Sequence, residues 1–318
     1  MRRHKEDFAG AYGAIYLLFL FFLFSCTTAT KAPELAPWES GVVPLDRGAS
    51  VYALVDVVNA RPILEKISYI PATDKNVKMM IDKTRSAVLA VFTPSSTETR
   101  LFQLVSWGSY PASGSSLAFG ANKDWKKQKS AFLDSVYWHS DKAQLSVAVT
   151  SSQAYVLVAM SKDPHDPIPL SGGIKIPDGF REFAGASVLS CWLSEPGLVM
   201  NQKLKTAGIP LEIPAEQFFV SLFPADGQTS ALQPAYEAHI KIIVPSATQA
   251  RAVATFLSIG RAFMPPAGSN EGGAQNGAAA LASILFANPV VQEGSSLLIK
   301  TPPLGINEIS LLFSMVSL

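Results

Sequence analysis

Two cysteines, three histidines in the body and a knot of lysines around one tryptophan are the side chains here whose types could do chemistry. Cys26 ends the apolar run AIYLLFLFFLFSC, residues 14–26, and Cys191 lies in SVLSCWL, residues 187–193. The second segment reads as a buried strand, where cysteine behaves as a small apolar residue. No basic side chain stands beside Cys191 to favour a thiolate, so a reactive thiol is the weaker alternative. His139, His165 and His239 stand far apart. His165 sits in DPHDP with Asp163 and Asp166 beside it, a set that could contribute nitrogen and oxygen to a metal. A polar, proline-rich linker facing water is the simpler reading. His239 alternates with Ile240 and Ile242 and should point to the less buried face of a strand. In NKDWKKQK, residues 122–129, Lys123, Lys126, Lys127 and Lys129 flank Trp125, a mixture that could press on anionic headgroups. Against that, a solvated loop or helix face is the commoner fate of such a run, and burial the commoner fate of the nearby Trp107, Tyr110, Tyr137 and Trp138. No nucleophile elbow, zinc helix, phosphate loop or dinucleotide fingerprint occurs. No catalytic, cofactor-binding or metal-binding residue is therefore expected, and no cofactor.

The apolar run runs from about Ala9 to Ser25, is diluted by Gly10 and Gly13, and follows Arg2, Arg3 and Lys5. A basic start, a short apolar stretch and a small residue at its end are the plan of a secretory signal, and a bilayer-spanning helix needs about 20 apolar residues. An uncleaved anchor is the alternative. The four residues Leu23-Phe24-Ser25-Cys26 resemble the lipobox of bacterial lipoproteins, with leucine three places before the cysteine and a small residue just before it. Phe24 departs from the usual small residue, a relaxed form similar to that of spirochaetal lipoproteins. The resemblance implies a diacylglycerated Cys26, removal of residues 1–25 and acylation of the new amino terminus. An ordinary signal peptide with a chance cysteine is the competing reading. One acyl chain holds a protein to a bilayer only marginally, at about 0.8 kcal/mol per buried methylene, so a triply acylated cysteine makes physical sense. Residues 26–47, rich in Pro, Ala and Thr, would form the tether. Thr27 is not the aspartate that marks inner-membrane retention in well-studied sorting systems, which leans the address toward the outer membrane.

Composition narrows the rest. Without residues 1–25 the chain carries 23 basic and 23 acidic side chains, a neutral balance that sets nucleic acid aside as a partner. Charged residues make up 16% of the whole chain and hydrophobic ones 48%. So sparse a charge implies a large core or apolar surface left for a partner or lipid, and the large core is the simpler of the two.

Two halves of similar order are expected around these residues, each an antiparallel sheet with helices on one face, an α+β fold. In the first half, residues 48–163, GASVYALVDV reads as a strand, and Pro62 opens a short helix, PILEKI, at its favoured first position. SAVLAVFTP and RLFQLVSWGS suggest a hairpin, and AQLSVAVT a later strand. Residues 164–177 read as a linker. In the second half, residues 178–318, GASVLSCWL is a strand, Pro196 leads a helix, and EQFFVSLFP with YEAHIKIIVP makes a second hairpin. The clearest helix starts at Ser246, with Gln249 completing a capping box and Ala250, Val253, Ala254 and Leu257 as its apolar stripe. SSLLIKT is a late strand, and INEISLLFSMV closes the chain as helix or strand. The order suggests an internal duplication: Ala49 and Ala186 are 137 residues apart, Pro111 and Pro245 are 134, and Thr150 and Thr301 are 151. The increase from 134 to 151, 17 residues, is about the length of a Gly/Asn-rich insertion from Met264 to Ala280.

The reading that follows is a lipid-anchored envelope protein at the periplasmic or surface side, held to the membrane through Cys26. Its body would be a non-enzymatic binding or structural module for an unknown protein or apolar ligand. A carrier or sensor of lipid is the first alternative, and an envelope hydrolase the second. Replacing Cys26 with Ser should shift the protein from the detergent phase to the aqueous phase on phase partitioning, or leave it unprocessed. A Cys26→Ser protein that partitions and migrates as the parent does would overturn the anchor.

Overall fold

The computed structural model describes residues 51–65, 81–92, 101–110, 119–131, 134–142, 144–150, 155–160, 163–164, 178–193, 196–197, 201, 212–225, 234–262 and 287–309. The chain divides into two compact units, one of Met1–Arg61 with Tyr69–Ile176, the other of Pro62–Ser68 with Pro177–Leu318.

In the first unit the strands are β1 (Val51–Asp56), β2 (Thr84–Phe92), β3 (Leu101–Gly108), β4 (Lys126–Lys129), β5 (Val136–Ser140), β6 (Leu145–Thr150) and β7 (Tyr155–Ala159). They lie in the order β1-β2-β3-β7-β6-β5-β4, and every neighbouring pair is antiparallel. The hairpin of β2 and β3 is as expected. The register lines up Trp138 with Val147, Val147 with Val158 and Val158 with Leu104, so these side chains share one face. That face carries the core of Tyr110, Phe119, Trp125, Trp138, Leu145, Val147, Val156 and Val158, with the Phe119 ring 4.9 Å from Trp125 and 5.7 Å from Trp138. Trp107, Tyr110, Tyr137 and Trp138 are all buried, so no aromatic belt forms among them.

Helix α1 runs over Val57–Leu64, with Pro62 inside it rather than at its start. The earlier start has a local cause. Asp56 ends β1 and its carboxylate accepts the Asn59 backbone N–H at 3.2 Å, which caps the helix five residues before the proline. NKDWKKQK is loop only over its first half, residues 122–125, because Lys126, Lys127 and Lys129 form β4, an exposed edge strand of KKQK. Lysine on an edge discourages further strand pairing.

The second unit holds α2 (Asp178–Ala184), β8 (Leu189–Leu193), β9 (Gln217–Pro224), β10 (Tyr236–Ile243), α3 (Ala247–Ala262), β11 (Val291–Glu293) and β12 (Ser296–Lys300). The order is β8-β9-β10-β12-β11, again antiparallel throughout. Ile240, Ile242, Leu297 and Ile299 face α3 and pack with its Ala250 and Val253. Trp192 and Phe219 stand on the other face, against Phe180 of α2, 6.5 and 5.5 Å away by ring centroids. Helices therefore cover both faces of this sheet, which corrects the one-face expectation. The register decides it, since successive residues of a strand point to opposite sides.

The two strand orders run alike: first, second, third, last, next to last. In the first unit the strand beside β3 is β7, so the sheet counterpart of β12 is β7 rather than β6, and the match of Thr150 with Thr301 falls away. The stretches PPAGSNEGGAQNGA and PASGSSLA, most of the Pro196-led helix and the end of INEISLLFSMV lie outside the described residues.

At Gly108 the chain comes too close to its neighbour for a side chain. A Cβ there would collide with the Lys83 carbonyl oxygen, next to the bulge between Thr84 and Ser86. Gly108→Ala should cost about 2–4 kcal/mol in denaturant unfolding by forcing β2 and β3 apart. An unchanged midpoint would show the approach to be dispensable.

Candidate functional site

Helix α3 offers the clearest surface for binding. Ser246 caps it: the Gln249 backbone N–H donates to Ser246 Oγ at 3.3 Å, and that hydroxyl donates to Gln249 Oε1 at 3.1 Å. The capping box is thus present in part, with the glutamine side chain on the serine hydroxyl. The inward stripe is the expected one, Ala250 and Val253 buried and Ala254 and Leu257 partly so. The outward side is also apolar, with Phe256 45% and Ile259 52% exposed. With Thr248, Arg251, Ala252 and Thr255 they line an open groove of about 500 Å³.

Two details make this ridge drier than its composition suggests. Thr255 Oγ1 donates to the Arg251 carbonyl and Ser258 Oγ to the Ala254 carbonyl, both at 2.8 Å, so these hydroxyls are spent on the helix's own backbone. The helix ATQARAVATFLSIGRA also contains no acidic residue. Its first turn is tied down by Gln292 of β11, whose Nε2 donates to the Ala247 carbonyl at 3.0 Å.

The titratable groups are elsewhere, and most are tied off. Asp141 takes Lys126 Nζ at 2.8 Å, and that hydrogen bond above all holds its carboxyl below the usual range while raising Lys126. Lys129 pairs with Asp134, so two of the four lysines of the knot, Lys126 and Lys129, are held by carboxylates, and Lys142 pairs with Asp124 beside them. Ser146, His139 and Asp141 form a chain: Nδ1 of His139 lies 2.9 Å from Ser146 Oγ, and Nε2 lies 3.1 Å from Asp141 Oδ1. A carboxylate only accepts, so Nε2 carries the proton, and in the neutral ring Nδ1 accepts from Ser146. The arrangement imitates a nucleophilic triad, yet Ser146 is wholly buried in the sheet, where no substrate reaches it. Thr84, Ser106 and Tyr110 bond to one another through their hydroxyls, and burial pushes the tyrosine's pKa up against those bonds. Tyr236 is raised by burial as well.

Of the sequence candidates, Asp163 is buried and accepts from Ser130 Oγ at 2.8 Å and the Ala131 N–H at 3.0 Å, a structural role. His165, Asp166 and Cys26 lie outside the described residues. Among the described residues no group of three His, Cys, Asp or Glu gathers as a metal site would need, and no helix is long and apolar enough to cross a membrane. His239 sits on the more open face of β10, as its alternation suggested. The outward ridge of α3 was missed, although Ala252, Phe256 and Ile259, spaced four and three apart, were legible as a second stripe.

Comparison with known proteins agrees with this architecture. Among the solved structures that resemble the chain are crystal forms III, I and IV of TP0453. Their sequence identities are 16, 17 and 16%, with TM-scores of 0.53, 0.51 and 0.53. The likeness covers 86–87% of this chain and 97, 99 and 98% of theirs. At that identity it defines a shared fold. The family model for TP0453, described as an outer membrane-associated lipoprotein, matches residues 42–165. That description agrees with the address read from the N-terminal segment, a membrane-anchored lipoprotein of the bacterial envelope leaning toward the outer membrane, and TP0453 is spirochaetal, as the relaxed lipobox suggested. No curated protein matches the chain.

Cys191 is partly exposed as a residue, yet desolvation of its sulfur pushes the thiol up to about 12. The thiolate is the reactive form, so at pH 8 a thiol reagent should label native Cys191 at least a hundredfold more slowly than the unfolded chain. Equal rates would restore the reactive-thiol reading.

Proposed function

We propose that this chain is a lipid-anchored lipoprotein of the bacterial envelope, non-enzymatic, whose body binds a lipid surface through the outward ridge of α3. The observation that carries the reading is the exposure of Phe256 and Ile259 on a helix without acidic residues. A tether from Cys26 would keep the body close to a bilayer, so the ridge meets lipid at high effective concentration. Arg251 at the groove suits the anionic headgroups beneath which the two apolar side chains would enter. Burying a phenylalanine or isoleucine is worth about 1.5–3 kcal/mol.

The test uses the Cys26→Ser protein, which lacks the anchor, in flotation with vesicles containing anionic lipid. Phe256→Ser and Ile259→Ser should each weaken binding about tenfold, with far-UV circular dichroism unchanged. Equal flotation of the double variant and its parent would remove the ridge from the binding surface.

The exposed apolar side chains of α3 leave room for a second reading, a carrier or sensor of an apolar ligand. Lipid retained through native mass spectrometry would favour it over a purely surface-binding body. We also infer that the body arose by internal duplication, supported by the common strand order and the antiparallel sense of all five shared positions.

A further inference from the structure

His239 occupies a place where a neutral ring fits and a charged one does not. The register sets four polar residues in a row across the second unit's sheet: Ser190 opposite Ser221, Ser221 opposite His239, and His239 opposite Lys300. Hydroxyls link Ser187, Ser190 and Ser221 at 2.6 Å each, and both inner serines are fully buried. The chain of hydroxyls stops there. His239 Nε2 is buried and has no hydrogen-bond partner among the described residues; the Glu237 carboxylate, 3.6 Å away, is too far for a hydrogen bond but close enough to pair with a protonated ring. The Phe223 ring lies 4.6 Å from the imidazole by centroids. On β10 the charged neighbours on this face are Glu237 and Lys241, β12 supplies Lys300, and β9 supplies none.

We propose that His239 is the proton-sensitive tie of the second unit: neutral, it holds the end of the β10-β12 ladder, and on taking up a proton it loosens β10 from β12. Like charges directly opposite each other on neighbouring strands repel, and Lys300 is the residue directly opposite. Desolvation first, and Lys300 second, hold the imidazole below its ordinary value, while Glu237 opposes them only in part. His139 makes the contrast. Both of its nitrogens are engaged, Nδ1 with Ser146 and Nε2 with Asp141.

The sign follows from linkage. Above about pH 6.5 the site is neutral in folded and unfolded chains alike, and its stability is intact. As pH falls below that value the unfolded chain takes the proton first, and stability drops until the folded ring titrates. Histidine NMR titration of the full-length protein, with thermal unfolding followed across the same pH range, tests this. The His239 resonance should titrate below about 6.5, Lys300→Met should move its midpoint up, and Glu237→Gln should move it further down. His239→Gln should make the fall of Tm between neutral and acidic pH shallower. A midpoint at or above the ordinary value, or one indifferent to Lys300→Met, overturns the proposal, as does an unaltered Tm slope in His239→Gln. If that variant does not fold, the two midpoints still decide.

Discussion

In the second unit, Cys191 stands opposite Val220, Val220 opposite Ile240 and Ile240 opposite Ile299, while the next residue along each strand belongs to the other face. This antiparallel register is the constraint on which the rest depends. A slip of one residue would carry Ile240 and Ile242 away from α3 and put Glu237, His239 and Lys241 beneath it. The cost of burying those charges without partners exceeds what a single small domain has to spare. The same sorting in the first unit gathers Trp138, Val147 and Val158 with the Phe119 and Trp125 rings.

Register also decides what α3 can do. Four of its side chains are taken by the sheet, and the sheet is anchored at its rim by Gln292 and by Thr301, whose Oγ1 accepts the Ala238 N–H at 2.9 Å. Phe256 and Ile259 are left outside because one helix face is all that a flat sheet can cover. An apolar ridge without acidic neighbours is then a consequence of having two apolar stripes on one helix. Exposed apolar side chains cost solubility, so their position on a capped, firmly seated helix points to use.

Polar groups in the two units are handled differently, and that difference gives the molecule its sensitivities. Around β4 and β5 each described carboxylate has a cation in reach, and the acidic groups of this edge are paired. In the second unit the polar row passes from the serines to a histidine that makes no hydrogen bond at Nε2. The low-dielectric interior that makes the hydroxyl chain strong makes the histidine's charge expensive.

The sequence by itself indicated an envelope address for this protein. The address was legible because a basic start, an apolar run and Cys26 are contiguous, and local spacing alone encodes them. Both hairpins and the Ser246 cap were legible for the same reason, since alternation and capping are properties of neighbouring residues. The position of α1 was misread because the Asp56 cap was overlooked in favour of Pro62. Strand β4 was misread because KKQK has no apolar alternation, and its pairing partner, VYWHS, lies seven residues beyond it. Tertiary structure alone decided that β7 lies beside β3, that helices cover both faces of the second sheet, that Ser146 is sealed from solvent, and that Lys300 faces His239. Each of these is a meeting of residues distant along the chain, set by register between strands, and no local pattern in a single strand states which residue stands across from it.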